Sequence, residues 1–383
     1  MRRWRGWLQD ASGAVADIGV FAPIAAALIL GNGLDAGTVL VGMGALYIAS
    51  GWYFRVPVPV QPIKAAAAIA IARGFGPETI GAAGVMLGLV LLVLAATGAT
   101  TVLARLFSVP LVRGLQLGVG LILIRTAIEM ATRSGGTASL TTAGLVAALL
   151  VVAGRSRRTL PAALVLVVGA AIWTGVSAGG PAPLELGLWA PELNGGALDL
   201  SVLASALVLL VIPQLPLTLG NAVVAVVDLE HRYFPVNARR VSPSAIGYSC
   251  GIANVAVGAL GGMPMCHGSG GLTAHYRAGA RTHRMNLMIG GALLVMGLVF
   301  GPTALGVLGL IPIPVLAGSL AFTGYFHAGL VAELRGGDLA IAMAMGVLGL
   351  VTTNLAVALG VGLVVHRGFT HLAGRRTAEA LSS

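Results

Sequence analysis

Stretches long and apolar enough to span a bilayer follow one another along this chain almost without pause, and no other feature restricts its fold so severely. A helix needs about 20 apolar residues to cross the hydrocarbon layer. Ser12 to Leu30, Ala36 to Phe54, Thr79 to Ala104 and Val109 to Met130 are the first such runs. With 57% hydrophobic and 9% charged residues, the chain has too little polar surface to cover a water-facing globule. The expected fold is an all-α polytopic membrane protein. Arg2, Arg3 and Arg5 ahead of an apolar run imitate a signal peptide, but no small-residue cleavage site precedes more hydrophobic sequence, so the segment is expected to be retained.

The arginines set an orientation. Numbering the apolar segments one to fourteen with a cytoplasmic N-terminus, every even-numbered segment ends inside. Those ends carry Arg55, Arg105, Arg155, Arg157, Arg158, Arg232, Arg239, Arg240, Arg277, Arg281, Arg284, Arg335, Arg367, Arg375 and Arg376. The outer connections carry only Arg73 and Arg133, and the longest, Ser177 to Asp199, holds Glu185, Glu192 and Asp199 with no basic residue. This is the positive-inside pattern, with both termini expected in the cytoplasm. The net charge of +10 therefore reflects topology and not a nucleic-acid partner. Cys250 and Cys266 lie in apolar context and suggest neither a disulfide framework nor a metal site.

A weak repeat runs through the chain in order. Pro23 in segment one matches Pro216 in segment eight, Pro59 before segment three matches Pro264 before segment ten, and Pro110 in segment five matches Pro314 in segment twelve. Because seven is odd, the second half enters the membrane from the opposite side, giving a 7+7 inverted repeat. Such halves are a signature of secondary transporters whose substrate lies near the midplane, between discontinuous helices. Irregular stretches occupy matching places: 55–63 holds three prolines before an alanine-rich helix, and 258–271 is glycine-rich around Pro264. Each reads as an extended lead into a half-helix, numbers three and ten, because proline lacks an amide hydrogen and glycine admits unusual dihedrals. The start of a half-helix presents unpaired amides and a partial positive charge, which suits an anion.

The single lysine, Lys64, sits at the first of these breaks, whereas the other 22 of the 23 basic residues are arginines. An ionised side chain at membrane depth costs several kcal/mol unless paired, so Lys64 is a functional candidate. Gln61 and Lys64 at one start, with His267, Gly268, Ser269, Gly270 and Gly271 at the other, can enclose an oxyanion through hydroxyl, amide and backbone donors plus one full charge. Structural alternatives stand beside each: Lys64 as a buried partner of Asp17, Gln61 as a cap, the glycines as close helix packing. Asp17 is equally open to proton coupling or local capping. His267 is a satisfied structural residue, a substrate contact or a carrier of a coupling proton. Gln214, Thr218 and Asn221 share one helical face and serve either substrate or broken backbone. Arg125 and Glu129 are spaced for a helical ion pair, Arg113 is expected to snorkel, and Asp228, Glu230 and His231 are expected to be solvated.

Pro57-Val58-Pro59-Val60-Gln61-Pro62-Ile63-Lys64 and Met263-Pro264-Met265-Cys266-His267-Gly268-Ser269-Gly270-Gly271-Leu272, followed by Tyr276-Arg277 and Gly279-Ala280-Arg281-Thr282, resemble the two signature motifs of the molybdate transporter family related to sulfate permeases. Asp17 to Pro23 and Pro216 to Val223 are similar to that family's first and eighth segments. The resemblance implies a 7+7 fold like that of uracil permease and uptake of a tetrahedral oxyanion, molybdate above sulfate. It implies one membrane transport domain, 1–383, with a core at 12–105 and 201–310 and a gate at 106–200 and 311–366. The remaining 367–383 is expected to be a short cytoplasmic tail, which favours the compact molybdate type over permeases with a regulatory domain.

Sulfate, another anion or a nucleobase is the alternative cargo. Nucleobase carriers are expected to place acidic side chains on segments eight and ten, where this chain has Gln214, Asn221 and His267. An anion channel is a different class, separable by saturation and accumulation against a gradient. An intramembrane enzyme is disfavoured, because no His-Glu-x-x-His motif and no nucleophile with a base accompanies Cys266, His267 and Ser269. No cofactor and no metal are expected, molybdate being bound as an oxyanion. The expected partners are that anion and the lipid bilayer of the cell membrane; a homodimer is left open.

Overall fold

Hydrocarbon offers backbone groups no water, so apolar runs of this length satisfy themselves as helices, and the chain does so nearly throughout. The computed structural model describes residues 2–105, 107–156, 161–177, 186–190 and 199–382. Arg157, Arg158, Glu185 and Glu192, which carry part of the charge asymmetry, lie outside these residues. Six helical stretches among the described residues are long and apolar enough to cross a membrane: Gly6–Asn32, Ala36–Phe54, Pro77–Ala96, Val109–Arg155, Leu200–Tyr233 and Ile313–Glu333. Shorter apolar helices cover Ala162–Ser177, Arg284–Phe300, Gly336–Thr352 and Leu355–Gly368.

Several expected segments are broken in space. Ser12 to Leu30 is not one helix, because Arg2–Val15 ends in a turn and Ile18–Asn32 begins after Asp17. Thr79 to Ala104 divides into Pro77–Ala96 and Ala99–Ala104 around Gly98, whose φ of +74° a side chain would oppose. The 47-residue helix Val109–Arg155 is interrupted at Gly135 and Gly136 by non-helical dihedrals. An uninterrupted helix of that length would be about 70 Å long, more than twice the hydrocarbon thickness.

Helices from the two halves of the chain pack in pairs: Ala36–Phe54 against Arg284–Phe300, Pro77–Ala96 against Pro243–Ala259, and Val109–Arg155 against Ile313–Ala328. Each pair closes on facing glycines, Gly44 with Gly290, Gly88 with Gly251 and Gly120 with Gly324, where an added Cβ would strike opposing backbone. The largest apolar cluster draws almost wholly on residues before 92 and between 206 and 304. Two smaller clusters draw mainly on 111–167 and 311–359.

At the centre, the two irregular stretches meet. Gln61–Pro62 and Met265–Cys266 form a two-stranded antiparallel ribbon with Gln61 opposite Cys266 and Pro62 opposite Met265. Ile63 N donates to Pro264 O at 3.1 Å just beyond it. Each strand runs straight into a short helix, Lys64–Arg73 and Ser269–Arg277, of ten and nine residues. At 1.5 Å per residue each is about half a membrane span.

Candidate functional site

Extended backbone at this depth needs partners, and two asparagines supply them. Asn286 accepts from Val58 N at 3.0 Å and donates to Val58 O at 2.6 Å. Asn254 accepts from Met265 N and donates to Met265 O, both at 2.7 Å. Each asparagine is fully buried; Asn254 clamps the second strand and Asn286 the extended stretch that leads into the first, which holds the ribbon and the half-helices that follow in position.

At the first half-helix the polar side chains form a chain. Gln61 Nε2 donates to both carboxylate oxygens of Asp17, at 2.7 and 2.6 Å, while Gln61 Oε1 accepts from Lys64 Nζ at 2.9 Å. The expected structural pair of Asp17 with Lys64 is therefore not a direct contact: the amide of Gln61 stands between them. Nor does Gln61 cap the broken helix. Asp17 and Gln61 are buried, whereas Lys64 is only half-buried, and Gln61 is its single hydrogen-bond partner among the described residues. Two of the three ammonium hydrogens thus have no acceptor among the described residues.

Gln214 does what a cap would do. Its Oε1 accepts from Ala65 N at 3.0 Å and Ala66 N at 3.1 Å, and its Nε2 donates to Thr218 Oγ1 at 3.1 Å. Two amides at the half-helix start are thus bonded to Gln214, a contact with broken backbone. Pro216 and the π-helical turns Ala206–Val211 and Thr218–Val224 distort this helix and turn its polar face to the break.

The second half-helix starts deeper. His267 Nδ1 lies 2.7 Å from Pro59 O and Nε2 2.8 Å from Ser249 Oγ, so both ring nitrogens are engaged and the residue ties the two breaks together. Ser269 Oγ donates to Asn221 Oδ1 and lies 3.0 Å from His327 Nε2; His327 Nδ1 lies 3.0 Å from Thr273 Oγ1. Gly268 and Gly271 are required by close approach. A Cβ on Gly268 would fall on the Gln61 amide, and one on Gly271 would lie 2.5 Å from Asp17 Oδ2. Gly270 is less confined, since its Cβ would meet Leu123 at 3.4 Å.

The structure thus gathers Asp17, Gln61, Lys64, Gln214, Thr218, Asn221, His267, Gly268, Ser269 and Gly270 around the two half-helix starts. Sequence reasoning missed Asn254, Asn286 and His327; the available signal is a strongly polar side chain, amide or imidazole, within an otherwise mostly apolar helix. Elsewhere, Arg125 pairs with Glu129 at 2.8 Å as expected. Arg113 does not snorkel: it is buried, bound to Asp228 at 2.5 Å, to Gln116 at 2.9 Å and to Glu333, which also pairs with Arg232. Asp228 is therefore paired and Glu230 fully buried; of the three residues expected in solvent only His231 is exposed.

Comparison with known proteins adds identity to this geometry. A family model described as the molybdate transporter of the MFS superfamily matches residues 9–123 and 206–326. The chain is 31% identical to molybdate transporter 2 of Arabidopsis thaliana, over 83% of this chain and 80% of that protein. It is 30% identical to molybdate transporter 1 of the same plant, over 84% and 79%, and 29% identical to molybdate transporter 1 of Chlamydomonas reinhardtii, over 92% and 91%. Among solved structures, the transmembrane domain of the cyanobacterium bicarbonate transporter BicA is similar in fold, with a TM-score of 0.59 at 18% identity over 93% of this chain and 97% of that one. SLC26A9 is similar with a TM-score of 0.64 at 13% identity, over 94% of this chain and 64% of that one.

Proposed function

The chain belongs to the molybdate transporter family, and from that premise we propose that it is a secondary active carrier of a tetrahedral oxyanion, molybdate foremost, working by alternating access. It is an integral membrane transporter and not an enzyme. The observation that carries the substrate class is Lys64: the only lysine, half-buried where the first half-helix begins, held by a neutral amide and, among the described residues, by no carboxylate. A cation left with free donors beside helix starts and hydroxyls suits an anion, and the chelating carboxylates a metal cation needs are missing from both motifs. Gln61, His267, Gly268, Ser269, Gly270, Thr218 and Asn221 shape the space around it, with Gln214 holding the half-helix in place and Asp17 orienting Gln61.

The proposal includes a 7+7 inverted repeat of fourteen spans. Its support is the pairing of helices across the two halves, and a ribbon in which Gln61 faces Cys266, residues separated as Pro59 is from Pro264. A core of 12–105 and 201–310 and a gate of 106–200 and 311–366 follow the division of the apolar clusters. The arginine pattern supports cytoplasmic termini in a cell membrane. Preference for molybdate over the smaller sulfate rests on satisfying every donor. One unpaired buried donor costs about 1–3 kcal/mol, enough for roughly a ten- to hundredfold difference.

The test is uptake of labelled molybdate by cells expressing the chain, with tungstate, sulfate and uracil as competitors. Saturable uptake blocked by tungstate almost as well as by molybdate, weakly by sulfate and not by uracil is expected. Uracil inhibition without molybdate uptake would return the chain to the nucleobase reading.

A further inference from the structure

His327 is fully buried on Ile313–Ala328, a helix of the proposed gate, yet its ring reaches the second half-helix of the proposed core. Ser269 and Thr273 stand four residues apart, on one helical face, and present a hydroxyl to each ring nitrogen at 3.0 Å. The hydrogens can be ordered by elimination. Ser269 has one hydroxyl hydrogen and gives it to Asn221 Oδ1, so toward His327 it accepts, and Nε2 carries the imidazole hydrogen. In the neutral ring Nδ1 is then an acceptor, and Thr273 must donate to it. The Thr273 oxygen, its own hydrogen used, is left to accept from the Tyr233 hydroxyl at 3.4 Å. The chain runs one way, from Tyr233 through Thr273, His327 and Ser269 to Asn221.

Two donors therefore stand in series at the start of the half-helix, His327 Nε2–H on Ser269 Oγ and Ser269 Oγ–H on Asn221 Oδ1. Ser269 belongs to the proposed oxyanion site, and His327 is in direct contact with its hydroxyl. We propose that His327 is a substrate-binding residue contributed by the gate, whose Nε2–H turns together with Ser269 Oγ–H onto an oxygen of the bound tetrahedral oxyanion. Thr273 and Tyr233 are positioning residues: they never touch the anion but hold the tautomer that makes Nε2 a donor. The inference rests on the oxyanion-carrier reading above and adds a consequence. An anion gripped by Lys64 and Ser269 on one body and His327 on the other is held most tightly when the two bodies are together.

The experiment is a double-mutant cycle on the equilibrium Kd for molybdate, measured with purified full-length protein. Wild-type protein that binds no molybdate would overturn the carrier reading and this inference with it; the ratios among variants judge His327 alone. His327→Ala is expected to weaken binding about ten- to hundredfold. His327→Gln, which keeps an amide N–H donor, should stay within about threefold of wild type. Thr273→Val should cost about tenfold beside His327, because the ring is then free to invert its tautomer, but less than about twofold beside His327→Gln, which needs no tautomer fixed. A wild-type Kd in His327→Ala, a loss that glutamine does not rescue, or an equal cost of Thr273→Val in both backgrounds would each overturn the assignment.

Discussion

The two breaks hold corresponding places in the chain and are finished in opposite ways. At the first, the half-helix begins with a half-buried lysine whose ammonium has one neutral acceptor, and its leading amides are capped from another helix by Gln214. At the second, His267 and Ser269 are completely buried and bonded on every side by protein. Charge and accessibility belong to one start, and fixed dipoles to the other. Neither alone holds a dianion well. A lone lysine lacks geometry, and neutral donors lack the full charge, so the pairing of unlike halves is what suits a tetrahedral oxyanion.

The largest expected effect probes the charged side of that contrast. Lys64→Ala should lower initial molybdate uptake at least about tenfold while the protein still reaches the membrane, and Lys64→Arg should keep part of the activity, since arginine preserves charge but changes donor geometry. Uptake rates normalised to membrane abundance check this; a wild-type rate in Lys64→Ala would make the lysine structural and dissolve the contrast.

Next comes the contact between the two starts. Gly268→Ala sets a methyl on the Gln61 amide and should cost about 1–3 kcal/mol of stability together with most of the uptake. Gly270→Ala meets only ordinary contacts, from 3.4 Å, and should fall below about 1 kcal/mol. Thermal unfolding of the two purified variants separates them, and equal losses would show that the close approach of Gly268 to Gln61 is not what demands glycine.

Gln214→Leu should act on stability first. It strips the acceptor from the Ala65 and Ala66 amides, for about 1–3 kcal/mol, and should lower the unfolding temperature more than it raises the KM for molybdate. A large rise in KM with unchanged stability would move Gln214 from cap to ligand. Smallest of all, Arg125→Ala removes an exposed helical ion pair and should change stability by less than about 0.5 kcal/mol.

Much of this was legible in the chain. Prolines and glycines in an apolar context mark where helices must stop: the first half-helix begins at Lys64, just after Pro62, whereas the second begins at Ser269 and takes in Gly270 and Gly271 ahead of Leu272, where the glycines pointed. The Gln214, Thr218 and Asn221 stripe was visible from spacing, as was the Arg125–Glu129 pair, because both are local. What sequence did not show depends on partners far along the chain. Arg113 finds Asp228 and Glu333 from the other half of the molecule, and Gln61 comes between Asp17 and Lys64 where charge alone suggested a direct pair. Asn254, Asn286 and His327 are polar residues in mostly hydrophobic helices, and hydropathy averages them away. Their roles emerge only when the fold brings each to a strand or hydroxyl without another partner.

The central claim is a position, and heavy-atom crystallography tests it most directly. Tungstate matches molybdate in charge and nearly in size, and its anomalous scattering locates it without assumptions about the surrounding density. With crystals of the tungstate-loaded protein, the account predicts one dominant anomalous peak between the starts of Lys64–Arg73 and Ser269–Arg277, with oxygens in hydrogen-bond reach of Lys64 Nζ and Ser269 Oγ. A dominant peak elsewhere, for example on Arg113 and Arg232, with nothing between the half-helices, would contradict it.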